Sequence, residues 1–202
     1  MPDTPPGPPG IRAIGHGPLY SLDGISPRVH PTVFIAPTAA VIGDVEIGPE
    51  SGIWFACVVR GDTNIIRIGA RTNIQDGAII HVDAVTYPTI IGDDVTVGHA
   101  AIIHACTLKD RAFVGMGATV LDGAVIEAGG MLGAGGLLTP GKIIGRYELW
   151  TGAPARLKRV MTEDERRGFD RNAAEYRRLA GRYRAGFGMP SPGSLRDPTS
   201  PA

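Results

Sequence analysis

A six-residue repeat of aliphatic residues constrains this chain more than any other feature. A period of six fits neither the 3.6-residue turn of an α-helix nor the alternation of a simple β-meander. It fits a solenoid in which each short strand ends at a tight corner and its aliphatic residue points inward. The repeat runs through Ile35, Val41, Ile47, Ile53, Val59, Ile68, Ile74, Ile80, Ile91, Val97, Ile103, Leu108, Val114, Val120, Ile126, Leu132, Leu138 and Ile144.

Glycine is the second signal. The chain has 29 glycines, yet 43% of its residues are hydrophobic, which excludes a disordered chain. Glycine follows the aliphatic residue at 48, 69, 92, 98, 115, 133 and 145. We expect these glycines to allow corner conformations that a Cβ would resist. Three sides would close a coil of about 18 residues, stacked on the next by parallel pairing. The sequence therefore predicts an all-β fold, a parallel β-helix of about six coils.

The chain ends in a predicted helix. Thr162 to Glu165 has the pattern of a capping box, and apolar residues follow at helical spacing to about Gly186. We expect this helix to pack along the solenoid. The predicted organisation is a Pro/Gly-rich N-terminal tail and lead-in (1–25), the β-helix (26–155), the C-terminal helix (156–187) and a mobile tail (188–202), with residues 1–10 also mobile.

The repeat is interrupted at three places. Three residues are extra between Val59 and Ile68, and five are extra between Ile80 and Ile91. Insertions extruded from a solenoid often cluster on its functional face, so we expect loops at these two places. The step from Ile103 to Leu108 is one residue short, which predicts a tightened corner.

Three histidines occupy informative positions in this repeat. His81 and His104 each follow an inward isoleucine, three hexads apart once the insertion is removed, so His104 should lie one coil above His81. His99 belongs near a different corner and should not reach the other two within its own chain. In a threefold trimer, however, different corners of neighbouring subunits can meet. The sequence thus predicts a three-histidine metal site between subunits, although isolated histidines in solenoids are more often hydrogen-bonded surface groups.

Two polar columns accompany the histidines. Arg60 should lie one coil below His81, and Asp76 one coil below His99. If the columns face each other across a subunit boundary, Arg60 would form a charge-assisted pair with the partner's Asp76 and fix the subunit register. Asp62 and Gln75 flank the same region. The histidine segment has no zinc-finger spacing and no cysteine partner, so a closed structural zinc site is not expected.

Composition excludes several partners. Twenty basic and twenty acidic residues cancel, so nothing favours nucleic acid or an anionic membrane surface. No apolar run approaches the roughly 20 residues that cross a bilayer. The N-terminal decapeptide lacks the basic start and apolar region of a secretory signal. Cys57 and Cys106 form no CxxC pair, and a reduced cytoplasmic protein is the simpler expectation.

At these residues the chain resembles the γ-class carbonic anhydrase family over roughly residues 30–180. The matching segments are Arg60-Gly61-Asp62, Asn73-Ile74-Gln75-Asp76, His81 and Gly98-His99 through His104. The resemblance implies a left-handed β-helix and a homotrimer with zinc, or iron or cobalt, on the three histidines. It implies that Gln75 and Asp62 lie beside the metal-bound solvent, that Asn172 and Tyr176 approach from the helix, and that metal-bound hydroxide attacks carbon dioxide to give bicarbonate.

The sequence departs from the archaeal type of this family at the groups that export protons. Thr63 stands where that type has a glutamate, and the insertion Val82–Thr89 has Asp83 as its only acid. This departure predicts slower proton export. Three alternatives stay open: a hexapeptide-family acyltransferase, which would need one catalytic histidine, a metal-dependent acyl-CoA thioesterase, and a non-catalytic trimeric scaffold.

Overall fold

The structure, a computed structural model, describes the backbone of residues 12–13 and all of residues 19–187. The predicted mobile tails at 1–10 and 188–202 lie outside the described residues. The elements are β1 (Arg12–Ala13), β2 (Leu19–Ser21), β3 (Arg28–Val29), β4 (Phe34–Ile35), β5 (Ala40–Ile47), β6 (Gly52–Ile53), β7 (Val58–Ile68), β8 (Asn73–Ile74), β9 (Ile79–His81), β10 (Thr89–Ile91), β11 (Thr96–Val97), β12 (Ile102–His104), β13 (Thr107–Leu108), β14 (Phe113–Val114), β15 (Thr119–Val120), β16 (Val125–Ile126), β17 (Met131–Leu132), β18 (Leu137–Leu138), β19 (Ile143–Ile144), β20 (Glu148–Thr151), β21 (Arg156–Val160) and α1 (Glu163–Gly186).

The strands form a left-handed parallel β-helix of about seven turns, one more than expected. One face of the prism runs β4-β6-β8-β11-β14-β17-β20-β21. The other two faces join into one sheet because the long strand β7 pairs with both β9 and β10. The additional turn arises because β2 and β3 pair in parallel with β5, and β20 pairs in parallel with β17, beyond the two ends of the aliphatic repeat.

The inward positions of the repeat form the core, as predicted. Every aliphatic residue of the series except Ile35 is at least 97% buried. Ile35 is partly buried and packs against the end of this core. Burying a stack of isoleucine, valine and leucine side chains supplies the main stabilisation of a chain with few aromatic residues.

The glycines have a different role from the one expected. None of the seven that follow an aliphatic residue has a positive φ. Six of the seven instead lie against the next coil: a Cβ on Gly69 would stand 2.6 Å from the carbonyl carbon of Gly92, and one on Gly98 would stand 2.6 Å from the backbone nitrogen of Met116, whereas Gly145 lies against the Glu148 side chain. Left-handed corners are often taken by other residues, among them Glu50, Arg71, Asp94, Arg111 and Tyr147. These glycines therefore permit close stacking of coils.

Only one of the two insertions is a loop. The three extra residues after Val59 stay within β7, which pairs with β5 before Asp62 and again from Ile66, with a shift of register between Gly43 and Val45. The expectation of a loop there was wrong because a bulged ladder absorbs the extra residues. Residues 82–88 do leave the strands, and the Asp83 carboxylate holds them by accepting from the Val85 N–H at 3.1 Å and the Thr86 N–H at 2.7 Å. The short step after Ile103 is a tight corner with φ +50° at Ala105.

Helix α1 begins at the predicted capping box. The Glu165 N–H donates to the Thr162 hydroxyl at 3.3 Å, and the Thr162 N–H donates to the Glu165 carboxylate at 2.8 Å. The helix packs on β4, β6, β8 and β11. The predicted closing segment 156–187 also contains a strand, because β21 pairs antiparallel with β20 before the helix begins. Within the described residues, no helix has the long apolar stretch that crossing a membrane requires.

Both cysteines are buried and free. Burial raises the pKa of Cys57 to about 11, and burial raises the pKa of Cys106 further. The thiols are therefore protonated near neutral pH, in a form that neither attacks disulfides nor binds metals.

We expect Gly115→Ala to destabilise the protein by about 1–3 kcal/mol, because overpacked positions cost this much. The added Cβ would lie 2.7 Å from the carbonyl carbon of Gly133. Chemical denaturation measures the change. The matched control is Gly181→Ala in α1, where an added Cβ meets nothing within 4 Å and should stabilise the helix by about 0.5–1 kcal/mol. Equal stability of Gly115→Ala and the unmodified protein would contradict this stacking role.

Candidate metal centre

His81 and His104 lie next to each other on one face of the solenoid. They end strands β9 and β12, which pair in parallel with His104 in register with His81. The Nδ1 atom of His81 lies 3.2 Å from the Nε2 atom of His104. The predicted column of two histidines therefore brings two ring nitrogens together.

A carboxylate holds the other nitrogen of each ring. His81 Nε2 lies 3.0 Å from Asp62 Oδ1, and His104 Nδ1 lies 2.6 Å from Asp122 Oδ1. A neutral imidazole that donates one N–H to a carboxylate keeps a lone pair on its second nitrogen. In that neutral form the two facing nitrogens would present converging lone pairs, an arrangement that suits a cation.

The spacing of these nitrogens fits a metal ion. Tetrahedral coordination with Zn–N bonds of 2.0–2.1 Å places neighbouring nitrogens about 3.3–3.4 Å apart, close to the 3.2 Å observed. Histidines that bind metals characteristically donate their other N–H to a carboxylate or carbonyl. The donor set therefore fits two of the ligands of a zinc-type site.

His99 lies at a different corner, with a carboxylate partner of its own. It follows β11, which pairs with β8, and this register places it above Asp76. His99 Nδ1 lies 3.0 Å from Asp76 Oδ2, and His99 Nε2 lies 3.2 Å from the Tyr176 hydroxyl. Burial raises the pKa of Tyr176, and the charge of Asp76 raises it further, so the phenol stays protonated. The His99 side chain is 42% exposed.

One chain does not complete a three-ligand site. Among the residues that the structure describes, no three histidine, cysteine or carboxylate side chains converge to hold a metal. The chain carries instead a pair of imidazoles on one face and a third at another corner. Ile79 and Ile102 lie in register in the strands of the pair, and they are 45% and 41% exposed. Exposed aliphatic side chains beside a polar site favour a contact with another chain.

Asp62 connects Arg60 to the histidine pair. Its carboxylate forms an ion pair with the Arg60 guanidinium and also contacts His81. Burial raises the pKa of Asp62, but the hydrogen bonds from His81 and Arg60 outweigh it, and the pKa lies below its usual value. Asp62 is therefore ionised near neutral pH. The predicted pair between Arg60 and the partner's Asp76 requires a second subunit, and it stays a prediction.

Gln75 and Asn172 belong to a buried polar chain under α1. Gln75 is 5% exposed and donates to Asn73 at 3.0 Å, whereas Asn172 accepts from the Thr96 hydroxyl at 3.4 Å. Tyr176, one helical turn after Asn172, contacts His99 directly. Trp54 packs edge-on against the Tyr176 ring, with centroids 5.3 Å apart. The two helix residues thus have different partners.

Sequence reasoning missed Asp122 and Thr96. Asp122 lies two residues after the inward Val120, whose strand β15 pairs with β12. Counting hexads from His104 would have placed a carboxylate one coil above it. Thr96 immediately precedes the inward Val97 and pairs with Asn73, so its position was also readable from the repeat.

No family model matches this chain. It is 48% identical over 170 residues to γ carbonic anhydrase 2, a mitochondrial protein of Arabidopsis thaliana, with 82% of this chain and 61% of the relative covered. It is 42% identical over 167 residues to a carbonic anhydrase of Geobacillus kaustophilus, with 83% of this chain and 91% of that protein covered. This chain belongs to the γ-class carbonic anhydrase family.

The chain spans about three fifths of the length of the plant relatives that it matches. Among solved structures, a hexapeptide transferase family protein of Anaplasma phagocytophilum is 49% identical, with a TM-score of 0.76 and 79% of this chain and 94% of that chain covered. The shared architecture agrees with the hexapeptide repeat of this γ-class chain.

We expect Asp122→Ala to weaken metal binding by about 10- to 100-fold, the usual effect of removing an outer partner of a ligand. Without the carboxylate, the His104 ring would lose the contact that fixes its tautomer and orientation. Competition with a chromophoric chelator measures the affinity. The control is Asp170→Ala, which removes a carboxylate paired with Arg111 on the exposed surface. Equal affinities of the two variants would show that Asp122 does not support the ligand.

Proposed function

We propose that this protein is a γ-class carbonic anhydrase that catalyses the reversible hydration of carbon dioxide to bicarbonate. Its site lies between subunits of a homotrimer, where His81 and His104 of one subunit and the partner's His99 hold a divalent cation. The observation that carries this proposal is the 3.2 Å approach of two imidazole nitrogens whose outer nitrogens contact carboxylates. Membership of the family supplies the reaction class.

Zinc is the proposed metal, with iron or cobalt as the alternatives implied by the family resemblance. Three neutral imidazoles leave a fourth position open, as catalytic zinc sites do. When bound, such a dication would lower the pKa of a coordinated water from 15.7 to about 7 and so supply hydroxide for addition to carbon dioxide.

The carboxylates orient the three histidine ligands. Asp62, Asp122 and Asp76 each contact one nitrogen of a histidine. Each thereby selects the tautomer whose other nitrogen carries a lone pair, and each limits rotation of its ring. In His99 the lone pair falls on Nε2, the atom beside the Tyr176 hydroxyl. Tyr176 therefore stands next to the reacting centre and offers a hydroxyl to substrate or water.

The subunit contact has two proposed components. Arg60 would pair with the partner's Asp76, and its exposed guanidinium beside Asp62 makes it available for a second carboxylate. Ile79 and Ile102 would bury their exposed aliphatic surface. This contact would bring the paired imidazoles of one subunit to the third imidazole of the next. A cytoplasmic location also stays a prediction, supported by the two free, buried thiols.

We expect the zinc- or iron-loaded trimer to hydrate carbon dioxide, and His99→Ala to lose both stoichiometric metal and at least about 100-fold of this activity. Stopped-flow pH-indicator assays and elemental analysis of the same samples provide the measurement. The matched control is His30→Ala, because among the described residues the His30 ring forms hydrogen bonds with Thr32 alone and should be dispensable.

Acetyl-CoA hydrolysis measured on the same samples tests the thioesterase alternative. Absence of stoichiometric metal in the unmodified trimer, or full activity of His99→Ala, would overturn the proposal. Thioester hydrolysis without carbon dioxide hydration would mean that the substrate is a thioester, while the proposed metal site would stand.

A further inference from the structure

The 82–88 loop and the short step after Ile103 occupy the same corner of the solenoid in successive coils. The loop joins β9 to β10, the short corner joins β12 to β13, and these strands pair in the same order. The coil below passes this corner within β7, at Asp62, and the coil beyond turns it at Asp122, between β15 and β16. The loop therefore belongs to the same edge of the prism as the two carboxylates that contact the histidine pair.

The upper end of the loop reaches past the short corner to the coil beyond it. The Tyr87 ring lies on Gly123, where an added Cβ would stand 3.0 Å from the Cζ atom of the ring. Gly123 directly follows Asp122, and its N–H donates to the Ala105 carbonyl of the short corner at 2.7 Å. Tyr87 thus holds a corner two coils away in the stack, and that corner carries the carboxylate bound to His104.

The lower end of the loop is fixed to the coil below. The Asn64 amide nitrogen donates to the Asp83 carbonyl at 3.1 Å, while Asn64 Oδ1 accepts from the Ile65 N–H at 2.8 Å. Asn64 lies two residues after Asp62 in the bulged part of β7. The loop is also closed on itself, because the Asp83 N–H donates to the Tyr87 carbonyl at 3.2 Å. These bonds make the loop a stiff connection rather than a free excursion.

Both ends of the loop also meet the backbone of a proposed ligand. The loop starts directly after His81, whose carbonyl oxygen accepts from the Ala105 N–H at 3.1 Å. The same carbonyl accepts from the hydroxyl of Thr89, the fully buried residue with which the chain re-enters the solenoid. A shift of the loop would therefore be passed to the strand that carries His81.

We propose that the 82–88 loop is a rigid strut between the two corners that carry the carboxylates. Asn64 and Tyr87 are the positioning residues at its ends, and both act through the corners that they hold. The strut fixes the separation of the two carboxylates and thereby the 3.2 Å approach of the two imidazole nitrogens. Supporting groups of this kind decide whether a metal site keeps its geometry. The inference rests on the proposed function for the metal, whereas the orientation of the imidazoles can be measured in metal-free protein.

The first test removes the ring and keeps the loop. We expect Tyr87→Ala to weaken the Co2+ affinity of the trimer about tenfold, at the lower end of the effect of losing an outer partner of a ligand. Competition with a chromophoric chelator measures the affinity, and the visible absorption bands of bound Co2+ should shift. Tyr87→Phe keeps the ring and should bind Co2+ as tightly as the unmodified protein. The matched control is Val85→Ala in the same loop, where the side chain is 87% exposed and should be dispensable.

The second test releases the other end of the loop. Asn64→Ala should also weaken Co2+ binding, because it removes the bond to the Asp83 carbonyl. A strut fails when either end is free, so the double variant Asn64→Ala, Tyr87→Ala should lose no more affinity than the more affected single variant. Losses that add in the double variant would show two independent effects and would overturn the strut.

Imidazole NMR provides a readout that does not require metal. In the isotope-labelled, metal-free trimer, the proton between His104 Nδ1 and Asp122, which are 2.6 Å apart, should give a signal that Tyr87→Ala broadens through exchange with water. Where the unmodified trimer binds Co2+, an unchanged affinity or an unchanged signal in Tyr87→Ala would overturn the proposal. Equal impairment of Val85→Ala or of Tyr87→Phe would also overturn it, since the loop as a whole or the phenol hydroxyl would then be responsible. Broadening in a trimer that binds no Co2+ would support the strut and reject the proposed metal site.

Discussion

The parallel pairing of successive coils is the constraint on which the rest of this molecule depends. It repeats the backbone about every 4.8 Å, so residues at equivalent places in two coils become neighbours. The pairing of β9 with β12 turns two histidines that are 23 residues apart in sequence into adjacent ring nitrogens 3.2 Å apart. The same pairing sets Asp76 beside His99 and Asn73 beside Thr96. Glycines at the coil contacts keep this spacing, because a Cβ at those positions would push the coils apart.

Carboxylates orient the rings of the three histidines. Each of the three proposed ligands has one nitrogen committed to an aspartate from the coil above or below it. Each contact fixes which ring nitrogen faces away from the carboxylate, and Asp62 remains ionised because its hydrogen bonds outweigh its burial. The arrangement explains how one chain can hold two ligands in place without a third. Under the proposed function, a second subunit would supply that third ligand.

Much of the fold and the histidine columns could be predicted from sequence, because counting hexads is equivalent to counting places in a regular ladder. The buried aliphatic series, the register of His81 with His104 and the capping box at Thr162 all follow from local spacing. The role of Gly69 or Gly98 could not be predicted, since it depends on the backbone of the next coil. Strand β7 kept its extra residues because it bulges against β5 between two paired stretches. Asp122 was overlooked although its place in the repeat was countable.

The most direct test of the shared site is complementation between defective subunits. Co-refolded His81→Ala and His99→Ala subunits should form mixed trimers that each contain one intact site, or about a quarter of all sites in a random equal mixture. His81→Ala mixed with His104→Ala should restore none, because both changes damage the same half of the site. Metal bound per trimer measures the outcome. No metal in the first mixture, or equal metal in both mixtures, would contradict a site built from His81 and His104 of one subunit and the partner's His99.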